Sequence, residues 1–215
     1  MFKIFSKLQY ASIVVCIVLL SVEMFNGCNK TGDQNKPEMS KDTTSKTSMM
    51  TPAERGKYLV TLAGCNDCHT PMKMGQMGPE PDMSRMLSGH PVEMKMPEPS
   101  KMTMPWMIGA SWTLTAWSGP WGISYSANIT PDSTTGIGKW DVATFMLALR
   151  NGKHIGTGRD ILPPMPWQEF KQMTDEDLKA LYAYLRTIPP VHNQVPEAIV
   201  APPPPGAPAG AMMKK

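Results

Sequence analysis

Ala63-Gly64-Cys65-Asn66-Asp67-Cys68-His69-Thr70-Pro71 is the stretch on which the reading of this chain turns. Its centre is C-x-x-C-H, the spacing at which a c-type haem is attached. Two thiols separated by two residues can each add to one haem vinyl group, giving two thioethers. The next residue, His69, is then placed under the iron as its proximal ligand. The motif occurs once, so Cys65, Cys68 and His69 predict one covalently attached haem c. A C-x-x-C can also be half of a zinc site or a redox dithiol. Zinc would want a second Cys/His pair at ligand spacing, but the other cysteines, Cys16 and Cys28, lie in or beside a leader. A thioredoxin-like dithiol would want a strand before it and a helix after it. Here a helical pattern precedes, and Thr70-Pro71 follows.

Upstream, Thr51-Pro52-Ala53-Glu54 is a helix start. Thr51 can cap, Pro52 suits the first helical position, and Glu54 closes a capping box. The helix is expected to run to about Ala63, with Gly64 ending it. Gly56 inside it has two readings, a close helix–helix contact or a tolerated surface glycine costing up to about 1 kcal/mol.

Downstream, residues 70–127 carry ten methionines between Met72 and Met107 and four tryptophans, with no helical or alternating periodicity. They predict an ordered but irregular loop that wraps the cofactor with aromatic and thioether surface. Thioethers select Cu(I), so a copper site is one alternative. Methionine is also a soft filler of irregular gaps, and no strict M-x-x-M repeat is sustained.

Asp141 caps a helix through Arg150, whose apolar set Val142, Phe145, Met146 and Leu149 falls at i, i+3, i+4 and i+7. Asn151-Gly152 terminates it. Residues 153–166 are too rich in Gly and Pro to be helical, and Pro163, Pro164 and Pro166 hold Met165 in a stiff extended segment. A neutral, weak thioether needs rigid delivery to stay on iron, so Met165 is read as the distal ligand, with His154 as the alternative. Arg150, Asn128, Trp106 and Trp121 are the donors expected for the haem propionates. The last helix starts at Thr174 with Asp175, Glu176 and Asp177 in its first turn, and Pro189-Pro190 stops it.

A first helix ending in C-x-x-C-H, a second helix, a Pro-flanked methionine and a terminal helix resemble the class I cytochrome c fold. Asn128-Ile-Thr-Pro-Asp132, Gly136-Ile-Gly-Lys-Trp140, Ala148-Leu-Arg-Asn-Gly152, Pro164-Met-Pro-Trp167 and Thr174-Asp-Glu-Asp-Leu178 are similar to the cytochrome subunits of periplasmic alcohol- and aldehyde-type dehydrogenases. The resemblance covers about residues 51–190. It implies an all-α haem domain, Cys65 and Cys68 as thioether sites, His69 as proximal ligand and Met165 as distal ligand. It also implies an electron carrier rather than an enzyme, exchanging electrons with a dehydrogenase, a terminal oxidase or another cytochrome. The chain departs from those subunits in having one haem motif where they usually carry several. The alternative function is a peroxidase-like haem enzyme, or a gas- or copper-binding module, with a labile distal site.

The four expected parts are a leader (1–27), a flexible linker (28–50), the haem domain (51–190) and a Pro/Ala-rich tail (191–215), without periodicity from Val191 and disordered over 201–215. Lys3 and Lys7 precede the apolar run Ala11 to Val22, which has the length of a signal-peptide core rather than of a membrane span. Phe25-Asn26-Gly27-Cys28 resembles a lipobox, which would make Cys28 the lipidated first residue of a periplasmic, membrane-anchored lipoprotein. Ordinary secretory cleavage and an uncleaved anchor are the alternatives, and all three place the domain outside the cytoplasm. Residues 29–50 are polar enough to remain a tether, with a mean reach of about 25 Å. Only 18% of the 215 residues are charged and the formal net charge is +3. That balance gives no reason to expect a nucleic-acid partner.

Overall fold

The first turn of helix α1 (Pro52–Leu62) is closed by the capping box. The Glu54 amide donates to the Thr51 hydroxyl at 3.3 Å, and the Thr51 amide donates to the Glu54 carboxylate at 2.8 Å. The structure is a computed structural model that describes residues 50–98 and 105–202. Gly64 adopts the left-handed conformation (φ 64°) that a side chain resists. This breaks α1 and lets Cys65–His69 wind a separate turn, α2.

Two further helices complete a frame. Asp141 accepts from the Thr144 amide at 2.7 Å and starts α3 (Val142–Asn151). Thr174 accepts from the Asp177 amide at 3.1 Å and starts α5 (Asp175–Leu185). A one-turn helix, α4 (Trp167–Phe170), lies between them. Gly56 faces α5 at contact distance. A methyl there would overlap the Ala180 carbonyl and lie 2.7 Å from Tyr184 Cβ, so the glycine is the crossing point of α1 and α5. Val60, Ile137, Phe145, Leu149, Leu178, Leu181, Leu185 and Ile188 are buried together beneath this crossing.

The all-α expectation is overturned, and so is the irregular insert. Among the described residues, 70–127 contain five short strands, and a sixth follows the last helix. β1 (Met72–Gly75) and β2 (Gly78–Pro81) form an antiparallel hairpin with Gly75 opposite Gly78. β3 (Gly109–Ala110), β4 (Ala116–Gly119), β5 (Gly122–Tyr125) and β6 (Ile199–Val200) form an antiparallel sheet in that order. Gly122 (φ 107°) takes a conformation open to glycine, and the Ile199 carbonyl of β6 occupies the space a Cβ would need.

The strands escaped the sequence reading for a physical reason. None exceeds four residues, so no run of alternation can develop. Their interior is also polar: His90, Ser111, Thr113, Thr115, Ser124 and Ser126 are buried. Buried polar groups must find partners, and His90, Ser111, Thr113 and Thr115 are linked to one another. His90 Nδ1 lies 2.9 Å from the Thr115 hydroxyl and Nε2 lies 3.1 Å from the Met94 carbonyl. The Thr113 hydroxyl bonds those of Ser111 (3.0 Å) and Thr115 (2.9 Å).

Residues 191–202, the described part of the expected tail, are tied to the rest of the domain. Asn193 is 1% exposed. Its amide donates to the Ser88 and His90 carbonyls at 2.7 and 2.9 Å and accepts from the Val92 amide at 3.1 Å. The segment is stitched to the insert by backbone partners that only the fold brings near. The leader, the linker as far as residue 49 and the tail from 203 lie outside the described residues. Among the described residues no helix is long and apolar enough to cross a membrane.

Candidate functional site

A cavity of about 520 Å³ opens between the helical frame and the second sheet. That volume is within the range of about 300–1,000 Å³ in which small-molecule and cofactor sites fall. Cys65, Cys68, His69 and Met165 all line it, and so does His154. Val60, Ile129, Ile137, Phe145, Leu149, Leu162, Phe170 and Leu181 make its apolar wall.

His69 is the last residue of α2 and is buried. Its Nδ1 lies 2.8 Å from the Ala127 carbonyl. A carbonyl can only accept, so Nδ1 carries the proton and donates, leaving Nε2 with a free lone pair. Burial pushes the imidazole pKa below its ordinary value, against the opposing pull of the Ala127 carbonyl. The ring is thus neutral and oriented, the form in which histidine ligates a metal. Cys65 and Cys68 are free thiols. Burial pushes Cys65 up to about 11 and raises Cys68 as well, so both are held protonated.

Met165 is half-buried in an otherwise exposed loop. Its amide donates to the Leu162 carbonyl at 3.3 Å, and its carbonyl accepts from the Trp167 amide at 2.9 Å. The proline-rich segment also contains a 3₁₀ turn, His154–Gly156, which the glycines and prolines had not suggested. His154 packs edge-on to Trp140, ring centroids 5.3 Å apart. His90 does not line the cavity, and both its nitrogens are engaged by protein.

The four donors expected at the propionates are placed differently. Arg150 donates to the Lys171 carbonyl and pairs with Asp175 at 2.6 Å, off the cavity. Trp106 is 74% exposed. Trp121 gives its N–H to Ser124. Asn128 does line the cavity, but its amide donates to the Thr135 hydroxyl and the Val191 carbonyl at 3.1 and 2.8 Å. Its side-chain oxygen accepts from the Thr130 amide and hydroxyl at 3.0 and 2.7 Å. Trp117, one of the tryptophans of the segment expected to wrap the cofactor, lines the cavity, and so do residues unsuspected from sequence: Ser124 and Tyr125 from the sheet, and Arg159, which pairs with Glu197 at 3.2 Å. Arg159 had one legible clue, a cation in a glycine-rich turn shortly before the Pro-Met-Pro segment. Ser124 and Tyr125 had none.

The donor set fits a c-type haem. Two reduced thiols, a neutral imidazole with Nε2 free, and a thioether share one apolar cavity. Among the described residues no group of three or more His, Cys, Asp and Glu could hold a bare metal ion.

The chain is similar to cytochrome c subunits of dehydrogenases. It is 33% identical over 144 residues to the fructose dehydrogenase cytochrome subunit of Gluconobacter japonicus, covering 66% of this chain and 23% of that protein. It is 30% identical over 151 residues to the cytochrome c subunit of the quinone alcohol dehydrogenase of Gluconobacter oxydans, covering 67% of this chain and 23% of that protein. Over 65 residues it is 48% identical to the gluconate 2-dehydrogenase cytochrome c subunit of Pantoea cypripedii, covering 30% of this chain and 14% of that protein. The chain thus spans less than a quarter of the length of these relatives. No protein-family model matches it.

Proposed function

We propose that this chain is a monohaem c-type cytochrome that passes single electrons between extracytoplasmic redox partners. Cys65 and Cys68 would be the thioether sites, His69 the proximal ligand and Met165 the distal ligand. The observation that carries the reading is the convergence of these four side chains on one cavity. The similarity to cytochrome c subunits supports it independently.

The haem, when bound, supplies a one-electron ferric/ferrous couple. The protein's own residues do the rest. The Ala127 carbonyl fixes the tautomer and plane of His69 and raises its basicity as a ligand. The neutral thioether of Met165 favours the ferrous state and raises the potential. With His69 and Met165 both held to the iron, the haem would offer no site to a substrate, and the chain would act as a carrier rather than a catalyst. Val60, Phe145, Leu149 and Leu181 line the cavity with apolar surface that would keep water from a bound haem. A dehydrogenase is the donor we propose, because the relatives are named as dehydrogenase subunits. Another cytochrome or a terminal oxidase would accept. We also propose that Cys28 carries a lipid that holds the domain at the periplasmic face of a membrane. Cys28→Ser would then move the protein from the membrane fraction to the soluble one.

The test is optical. The ferric protein is expected to show the far-red iron–thioether charge-transfer band, to lose it in Met165→Ala, and to bind carbon monoxide poorly when reduced. Intact-mass measurement is expected to show one haem, lost when Cys65 and Cys68 are both replaced by Ser. A wild-type protein without the band that binds carbon monoxide at once would overturn the carrier reading in favour of an open-site enzyme or gas sensor.

A further inference from the structure

The loop that carries Met165 is poorly anchored by its own chemistry. Pro163, Pro164 and Pro166 have no N–H to donate, and all three are exposed. The bonds at Met165 itself run to Leu162 and to Trp167 at the start of α4, both within two or three residues in sequence. Among the described residues, one hydrogen bond ties residues 162–166 to a distant part of the chain. The Ser124 hydroxyl lies 2.5 Å from the Pro163 carbonyl, 39 positions away in sequence.

The chemistry of the partners settles the direction of that bond. The indole N–H of Trp121 is a donor only, and it lies 3.2 Å from Ser124 Oγ. Ser124 therefore accepts from Trp121 and turns its own proton toward the Pro163 carbonyl. The hydroxyl is 6% exposed with its residue, so water competes little for either bond. Trp121 stands in the tight turn between β4 and β5, and its own carbonyl accepts from the Ala201 amide of the C-terminal segment at 2.8 Å. The relay thus starts on the sheet and ends two residues before the methionine.

We infer that Ser124, aligned by Trp121, is a positioning residue for Met165: the inserted sheet holds the distal-ligand loop closed over the cavity. This rests on the reading of Met165 as distal ligand. A thioether is a weak ligand, so the balance between methionine on and methionine off is set by how firmly the loop is held. An external ligand binds only the open form, and its apparent affinity scales with the open fraction. Removing one loop bond raises that fraction by the equilibrium worth of a net hydrogen bond, about threefold to tenfold.

The experiment titrates imidazole into the ferric, haem-loaded full chain and follows the far-red charge-transfer band. Ser124→Ala is expected to tighten imidazole binding by about threefold to tenfold and to weaken the band. Ser124→Thr, which keeps the hydroxyl, stays near wild type. Thr113→Val, which disturbs the same sheet without touching the loop, lowers thermal stability but leaves imidazole affinity unchanged. Wild-type affinity in Ser124→Ala, with the band intact, overturns the inference while leaving Met165 as ligand. A wild-type protein lacking the band overturns the ligand reading, and this inference with it. If Ser124→Ala does not fold, Trp121→Phe removes the aligning donor. A rise in imidazole affinity smaller than the one expected for Ser124→Ala then supports the relay, and no rise overturns it.

Discussion

The helical frame and the inserted sheet bury their interiors by opposite means. Under α1, α3 and α5 the buried side chains are Val60, Phe145, Leu149, Leu178, Leu181 and Leu185. Around β4 and β5, beside Ala116 and Ile123, they are mostly polar: His90, Ser111, Thr113, Thr115, Ser124 and Ser126. Apolar burial is non-directional and grows with area. A hydrogen-bonded interior is directional, and each member depends on its neighbours. The frame therefore depends on volume, and the sheet depends on partners. Leu87 joins the two, an insert residue that is wholly buried in the helical core.

The contrast can be broken first on the frame side. Leu178 is wholly buried, and Leu178→Ala is expected to cost about 2–5 kcal/mol, the range for leucine cavities. Calorimetric unfolding measures it, and an unchanged midpoint would place the core elsewhere. Gly56→Ala comes next. It gains about 1 kcal/mol of helix propensity but drives a methyl into the Ala180 carbonyl, and the overlap wins by about 2 kcal/mol net. A stabilised variant would show that α1 and α5 cross elsewhere.

On the sheet side, Thr113→Val keeps the shape but removes one hydrogen bond from each of the Ser111 and Thr115 hydroxyls, which keep the Ala116 amide and His90 as partners. The expected loss is about 1–2 kcal/mol, and hydrogen exchange should concentrate it at residues 109–126. Uniform loss across the helices would argue that the two regions unfold as one.

The smallest effect concerns the loop that joins the two regions. The Thr135 hydroxyl and amide and the Thr134 hydroxyl hold the Asp132 carboxyl well below its ordinary value of 3.8. A depressed carboxylate stabilises the fold fully above its unfolded pKa, and that stability is lost as pH falls through the folded value. Stability conferred by Asp132 should thus be intact at neutral pH and decline below about pH 4. Asp132→Ala should lower the neutral-pH midpoint by a few degrees and flatten part of the acid decline. An acid limb identical to wild type would remove Asp132 from the account.

How much was legible follows the same division. Thr51, Asp141 and Thr174 marked their helices because a cap is a local event within one turn. Gly56 showed that something was close, but not what. Ser124 and Asn193 carried no mark, since their partners lie 39 and about 100 positions away. The expectation for Arg150 failed because its guanidinium found the Lys171 carbonyl and Asp175 first.

By itself the sequence determined which side chains are offered to the cavity, Cys65, Cys68, His69 and Met165, and where the main helices start. C-x-x-C-H and Pro-Met-Pro are short-range patterns whose geometry is fixed by covalent spacing and by proline's locked backbone. Only the tertiary structure decided that residues 70–127 form sheets, that residues 191–202 pack, and that Ser124 reaches the loop bearing Met165. Those outcomes rest on hydrogen bonds between residues far apart in sequence, and no local periodicity encodes a partner that arrives only when the chain has folded.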